Sequence, residues 1–322
     1  MNPQLRNPTG RASRHLRTLF VVLAVMLGAT LTADNPRVII TSDIGGTERD
    51  DEQSFVRLLL YSNELDIVGL IGTNSQFGGS ERGEVQVFKN IIDVYAGIRN
   101  NLQAHAQVLA HAAGYPTATY LKSICKYGRR DIKDMNGVGD NKATDGSTHI
   151  IAELKKADPR PLWFCVWGSN STLAQALWDL QRERDNGTLT QAQLDAIIAK
   201  IRIYDIAGQC TTGAWIAHTF PNIFYIRSTK QFQAFAKHNT ETGLPWQGPT
   251  DMVDYDWFRA HIRNLENTSH LGNRYPKATS MYEGDSPSFV YLLSKGLNDP
   301  EKPWMGSWGG RFGREMTSPA GR

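Results

Sequence analysis

Residues 37–53 read R-V-I-I-T-S-D-I-G-G-T-E-R-D-D-E-Q, and the fold turns on them. The first five are β-branched or apolar apart from Arg37, the composition of a buried strand. Gly45 and Gly46 then permit an unusual turn. From residue 51 to 62 the spacing of Phe55, Leu58, Leu59 and Ser62 predicts one buried helix face. The same alternation recurs. Short apolar runs stand at 66–73, 161–167, 201–207 and 222–226, and residues 84–95 place Val85, Phe88, Ile91, Ile92 and Tyr95 on one side of a helix. Continuous apolar strands separated by amphipathic helices predict an α/β fold: an open, mainly parallel, Rossmann-like sheet with helices on both faces. In such sheets ligands bind beyond the carboxyl ends of the strands. Asp43, Thr73-Asn74, Gly168-Ser169-Asn170 and Ala207-Gly208-Gln209 stand at four of those ends. Any one alone reads as an ordinary polar strand end, whereas four can converge.

The chain has 322 residues, 40% hydrophobic and 21% charged, which accommodates one large domain or two small ones. No repeat or linker divides it. The formal charge of +3 owes much to Arg6, Arg11, Arg14 and Arg17, which precede any acid. The remainder is close to neutral, which argues against a nucleic-acid partner. That basic start, the apolar run at 19–33 and Asp34-Asn35-Pro36 have the layout of a signal peptide cut after Ala33. The expectation is a secreted or periplasmic protein whose single domain is 34–322. A retained anchor is the alternative, although the run is short against the roughly 20 residues of a bilayer span. Cys125, Cys165 and Cys210 cannot all pair within one chain and match no zinc spacing; Cys165 reads as a core residue.

Past residue 237 the pattern loosens. Residues 239–251 are turn-rich, 255–263 look helical, and Asp285 or Ser286 is placed to cap a helix with Pro287 in its first turn. In the Gly-Trp-rich tail, Trp304, Trp308 and Phe312 read either as a sugar platform or as packing against the domain.

The acids of the opening stretch carry the chemistry. Asp43, Glu48, Asp50, Asp51 and Glu52 repel one another unless a cation sits among them. Oxygen donors with no His or Cys nearby suit a hard ion such as Ca²⁺ or Mg²⁺. A plainer reading has Asp50, Asp51 and Glu52 decorate a helix N-terminus, where the macrodipole favours acids. It leaves Asp43 unexplained.

These residues bear a resemblance. The strand followed by acids looks like the D-x-D-x-x-x-D-D fingerprint of the Ca²⁺-dependent inosine-uridine nucleoside hydrolases. T-S-D-I-G-G-T-E-R-D-D, W-G-S-N-S-T-L-A-Q-A-L, G-A-W-I-A-H-T-F-P-N-I-F-Y-I, E-G-D-S-P-S-F and G-S-W-G-G-R-F, in order over about residues 37 to 313, resemble more closely the nucleoside hydrolase-like domain of a secreted cellulose-binding-protein family. The resemblance implies a nucleoside hydrolase-like fold with Ca²⁺ as cofactor. It implies Asp43 as metal ligand and as the catalytic base for a metal-bound water. Asp50 and Asp51 match the closing pair, Asp50 toward the sugar hydroxyls and Asp51 toward the metal. Asn74 falls at a sugar contact, Ser171 at a backbone carbonyl ligand and Asp285 at the late aspartate ligand. Relatives usually continue into a β-rich domain beyond the W-G-G-R motif, so the chain reads as truncated or short.

Four departures qualify this. Thr41 replaces the leading aspartate, three extra residues separate Asp43 from Asp50, and Gly284 stands where the hydrolases carry a leaving-group histidine. The ribose-gripping residues are replaced around Gly213 to Ile216, where Trp215 can stack on substrate or sit in the core. His218, Tyr282 and Glu283 are the candidate proton donors. The expected function is hydrolysis of a glycosidic bond, in an N-ribosyl or similar compound. The alternative is a cellulose- or oligosaccharide-binding protein that has lost turnover. The expected partner is a small glycoside or nucleoside, with a polysaccharide as a further candidate and a homo-oligomer left open.

Overall fold

Six strands form one sheet in the order β3-β2-β1-β4-β5-β6, and every neighbouring pair is parallel. The computed structural model describes residues 35–46, 49–76, 82–108, 114–131, 134–228, 255–263, 270–276, 283–293 and 298–313. The expected leader, Glu48, Tyr282 and the turn-rich stretch at 239–251 lie outside them. In chain order the elements are β1 (Arg37–Ser42), α1 (Arg49–Leu60), β2 (Asp66–Gly72), α2 (Val85–Val108), α3 (Ala118–Ser123), β3 (Cys125–Tyr127), α4 (Asp145–Lys155), β4 (Leu162–Val166), α5 (Ser171–Asp185), α6 (Gln191–Ala199), β5 (Ile201–Ile206), α7 (Thr212–Thr219), β6 (Phe224–Ser228), α8 (Tyr255–Phe258) and α9 (Ser286–Val290). No described helix is long and apolar enough to cross a membrane.

The strand alternation builds a core on each face of the sheet. Val38, Ile40, Cys165 and Tyr204 point one way and pack with Phe55, Leu58 and Leu59 of α1, Phe88, Ile91 and Ile92 of α2 and Phe289 of α9. Ile39, Phe164, Val166 and Ile203 point the other way, against Ile150 of α4, Leu173 and Leu177 of α5, Leu194 of α6 and Ile216 of α7. Burial on both faces is why these strands read as continuous apolar runs rather than as alternating ones.

Three elements differ from expectation. Edge strand β3 has three residues and a partly exposed Lys126, so it leaves no apolar signature. Strand β6 starts at Phe224 rather than residue 222, because Pro221 and Asn222 still belong to the preceding turn. Residues 255–263 wind as a short α-helix followed by a π-helical turn, Arg259–Arg263. The cysteines are free, with Cys165 fully buried.

The topology also fixes where a ligand would go. The chain leaves β1 toward β2 on one side and leaves β4 toward β5 on the other, so a crevice opens between the carboxyl ends of β1 and β4. Asp43 is the first residue past β1, and Gly168 lies two residues past β4. A side chain on Gly168 would begin 2.8 Å from Asp43 Oδ1 and 2.9 Å from the Asn74 carbonyl oxygen, so the backbone can approach only as glycine.

Candidate metal centre

The turn after β1 is tied together by Ser42. Its hydroxyl accepts the Ile44 N–H at 3.0 Å and donates to Asp51 Oδ1. Gly45 and Gly46 follow with φ of 107° and 59°, a path that side chains would resist, and deliver the chain to α1. Asp50 and Asp51 stand in the first turn of α1, where the unpaired N–H groups favour negative charge. Asp285 comes from 231 residues beyond Ser54, whose hydroxyl accepts the Asp285 N–H at 3.3 Å. Asp285 precedes α9 but makes no side-chain cap. Its carboxylate instead joins Asp50 and Asp51, and one oxygen from each lies within 4.8 Å of the others. All three are buried.

Asp43 sits beside this group in a buried ion pair. Arg82 Nη1 donates to Asp43 Oδ2 at 3.0 Å, with only 6% and 1% of the two side chains exposed. Asp43 Oδ1 has no hydrogen-bond partner among the described residues. Burial raises the Asp43 carboxyl above its ordinary range, while Ser75 and Arg82 pull it back. Asp51 is pushed well above that range, first by burial and then by the charges of Asp285, Asp43 and Asp50, against the Ser42 hydrogen bond. Such a crowd of acids is at ease only when a cation or protons neutralise it.

Residues 37–312 match the family described as cellulose-binding Sde182, nucleoside hydrolase-like domain. The chain belongs to this family. It is also similar to a solved structure, a nucleoside hydrolase-related hypothetical protein from Saccharophagus degradans associated with carbohydrate metabolism, with 38% identity and a TM-score of 0.68. That match covers 86% of this chain and 59% of the other, so the chain spans about three fifths of its length. No curated protein matches the chain.

The motif resemblance implies calcium, and the donor set here fits a hard cation. Ca²⁺ binds oxygens at 2.3–2.6 Å, so no two ligands of one ion stand more than about 4.6–5.2 Å apart, a limit that these three carboxylates meet. Asp51 and Asp285 come together as the resemblance implied. Asp50, assigned there to the sugar, offers an oxygen to the same group, while Asp43 is held by Arg82.

The other expected residues divide. Asn74 is buried at the end of β2; its Nδ2 donates to the Arg130 carbonyl at 2.7 Å, and its Oδ1 has no partner among the described residues. Ser171 is the first residue of α5, with its N–H bonded to Ser169 Oγ at 2.9 Å. Trp215, expected against substrate, packs instead on Trp178 and Phe220, with ring centroids 6.5 and 5.8 Å away. It is the third residue past a helix start and falls on the face that covers the sheet, so it joins that apolar layer. His218 lies exposed in the last turn of α7. Glu283 is fully buried and committed to Arg57, to the Tyr275 hydroxyl at 2.6 Å and to Ser286 Oγ at 2.8 Å. It anchors the approach to α9 and is poorly placed to give up a proton.

Two groupings escaped the sequence. One is Arg82, whose only signal was a basic residue in R-G-E ahead of α2. The other is Asp205 inside β5, where Tyr225 donates to Oδ2 at 2.5 Å and Asn170 Nδ2 at 3.1 Å. Gly213 is small because a side chain there would press on all three. Burial pushes the Asp205 carboxyl up to about 6 against those two hydrogen bonds.

Proposed function

We propose that this chain is an exported hydrolase of glycosidic bonds, N-glycosyl or ribosyl, that uses a Ca²⁺-bound water with Asp43 as its base. The observation that carries the reading is the convergence of Asp50, Asp51 and Asp285 beside Asp43 at the crevice between β1 and β4. A bound Ca²⁺ would supply a water of lowered pKa and an anchor for vicinal sugar hydroxyls. Asp50, Asp51 and Asp285 would hold the ion. Asp43 Oδ1 would take the water's proton, and Asn74 Oδ1, a buried acceptor, would receive a hydroxyl of the furanose. Bond cleavage through an oxocarbenium-like state builds positive charge, which surrounding carboxylates stabilise. The layout of residues 1–33 and the cellulose-binding family support export.

A second reading has its own observation. Trp304 and Trp308 are the most exposed large aromatic side chains among the described residues, 62% and 70% exposed, while Phe312 packs on Tyr204 and Tyr291. Exposed indoles on a turn would stack on the apolar face of a glucan, which fits a family named for cellulose binding. In that reading the acids grip sugar hydroxyls without turnover.

The deciding experiment incubates protein lacking residues 1–33 with a panel of nucleosides and aryl glycosides, with and without calcium, beside Asp43→Asn. Calcium-dependent release of base or aglycone, lost in the variant, supports the hydrolase. Glucan binding that Trp304→Ala and Trp308→Ala weaken, with no turnover on any substrate, supports the binding protein instead.

A further inference from the structure

We propose that Arg82 is a built-in counter-ion that withdraws Asp43 from the cation's coordination shell, leaving Asp50, Asp51 and Asp285 to hold the metal and Asp43 to face what the metal presents. The inference rests on the reading that a hard cation binds this site. It departs from the resemblance, which makes Asp43 itself a ligand.

The first support is the partition of the acids. The carboxylates whose oxygens lie within 4.8 Å of one another are those of Asp50, Asp51 and Asp285, and not that of Asp43. Asp43 Oδ2 is taken by Arg82 at 3.0 Å. A guanidinium and a divalent ion on one small carboxylate would repel each other at close range in a buried place. The charge of Asp43 is therefore spent on Arg82, and the three remaining carboxylates match a divalent ion that keeps open positions.

The second support is that the Arg82 backbone is fixed on both sides. Its carbonyl accepts Arg130 Nε at 2.8 Å, and the Glu84 N–H donates to the Ile44 carbonyl at 3.0 Å. Between them Gly83, at φ +66°, lies so close to the Gly72 and Thr73 backbone that a side chain on either Gly72 or Gly83 would collide with the other strand of chain. A loop stitched to the ends of β1 and β2 holds the guanidinium over Asp43; a surface arginine that drifted there would lack these ties. Arg82 is thus a positioning residue, setting which oxygen of Asp43 faces the crevice.

The test is calorimetric titration of the full chain with CaCl₂ at neutral pH, together with Arg82→Gln, Asp51→Asn and the double variant Arg82→Gln/Asp43→Asn. If Arg82 and Asp43 neutralise one another outside the shell, removing both leaves calcium affinity within about threefold of wild type, whereas Asp51→Asn loses about a hundredfold. Arg82→Gln alone frees a fourth carboxylate and tightens binding by about tenfold or more. A double variant that loses as much as Asp51→Asn puts Asp43 in the shell and overturns the inference while leaving the metal site standing. Wild-type protein that binds no calcium overturns the metal reading and the inference with it. If the double variant fails to fold, Arg82→Gln decides alone, since unchanged or weaker binding refutes a counter-ion.

Discussion

Asp51→Asn should stabilise the metal-free protein and abolish its response to calcium. The carboxylates of Asp51, Asp50 and Asp285 come within 4.8 Å of one another, and at an effective dielectric of about 20 each ionised pair repels by about 3.5 kcal/mol. Two such neighbours would charge a fully ionised Asp51 with about 7 kcal/mol, before the added repulsion of Asp43. A proton on Asp51 would relieve most of this, and burial and the neighbouring charges move its carboxyl in that direction. Holding a carboxyl protonated costs about 1.4 kcal/mol per pH unit above its ordinary value near 3.9, hence about 3 kcal/mol at pH 6. The smaller of the two costs is the ceiling, so the variant should gain up to about 3 kcal/mol at pH 6, or up to roughly 5–10 °C in Tm. The sign follows from linkage: a group whose pKa is raised on folding costs nothing well below its unfolded value and destabilises increasingly as pH rises toward its folded one. The gap between variant and wild type should therefore be near zero at pH 4 and widen to pH 6.

Differential scanning calorimetry in a chelator, then in excess calcium, measures both halves. Wild type should gain about 2.7 kcal/mol at a hundredfold excess of calcium over Kd, and the variant almost nothing. A variant no more stable than wild type at pH 6 without calcium would show that the acids are not mutually strained. A variant that gains as much from calcium as wild type would remove Asp51 from the site.

Glu283→Ala removes the buried carboxylate that Arg57, the Tyr275 hydroxyl and Ser286 Oγ share, so it should cost about 3–5 kcal/mol in chemical denaturation, as a scaffold residue would. A proton donor would instead lose activity with stability intact. Gly83→Ala imposes a side chain at φ +66° against the Thr73 backbone and should cost at least about 2 kcal/mol, seen as a lowered urea midpoint; a neutral result would mean the loop is not stitched as described. Tyr225→Phe removes the 2.5 Å donor to Asp205, at a cost of about 1.5–3 kcal/mol at pH 8. That cost should shrink toward pH 5 as the Asp205 carboxyl, pushed up to about 6, takes a proton; a pH-independent cost would argue that the carboxyl does not titrate there.

What could be read from the sequence followed period and burial. Strands β1, β2, β4 and β5 announced themselves because they are buried on both faces, and Phe55, Leu58, Leu59, Phe88 and Ile91 marked their helices for the same reason. The acids of α1 were visible as local crowding, and Asp285 only through a remote motif, since its place is set by a bond to Ser54 that spans 231 residues. Arg82 was not legible. It is 39 residues from Asp43 and lies in a polar loop with no periodicity to give it a direction. Asp205 was hidden inside the run I-R-I-Y-D-I, because only the sheet register, which sets it opposite Val166 and Arg227, brings it to Tyr225 and Asn170. Trp215 shows the converse limit: its type fits stacking on a sugar, whereas its position in α7 leaves it half-buried against Trp178 and Phe220.

The charge of the whole site bears on the choice between turnover and binding. Asp43, Asp50, Asp51 and Asp285 supply four carboxylates and Arg82 one guanidinium, so the site is three charges negative when every acid is ionised. A divalent ion would leave one negative charge. A site that only gripped neutral sugar hydroxyls gains nothing from that residue of charge, and ionising buried carboxylates would be a cost without return. A site that passes through an oxocarbenium-like state gains directly, because the surplus charge faces a cation present only in the transition state. Removing that surplus should therefore lower kcat while leaving KM for a neutral glycoside nearly unchanged. Asp50→Asn tests this, provided calcium is held saturating. A rise in KM at constant kcat would place Asp50 in substrate binding, as the resemblance had it.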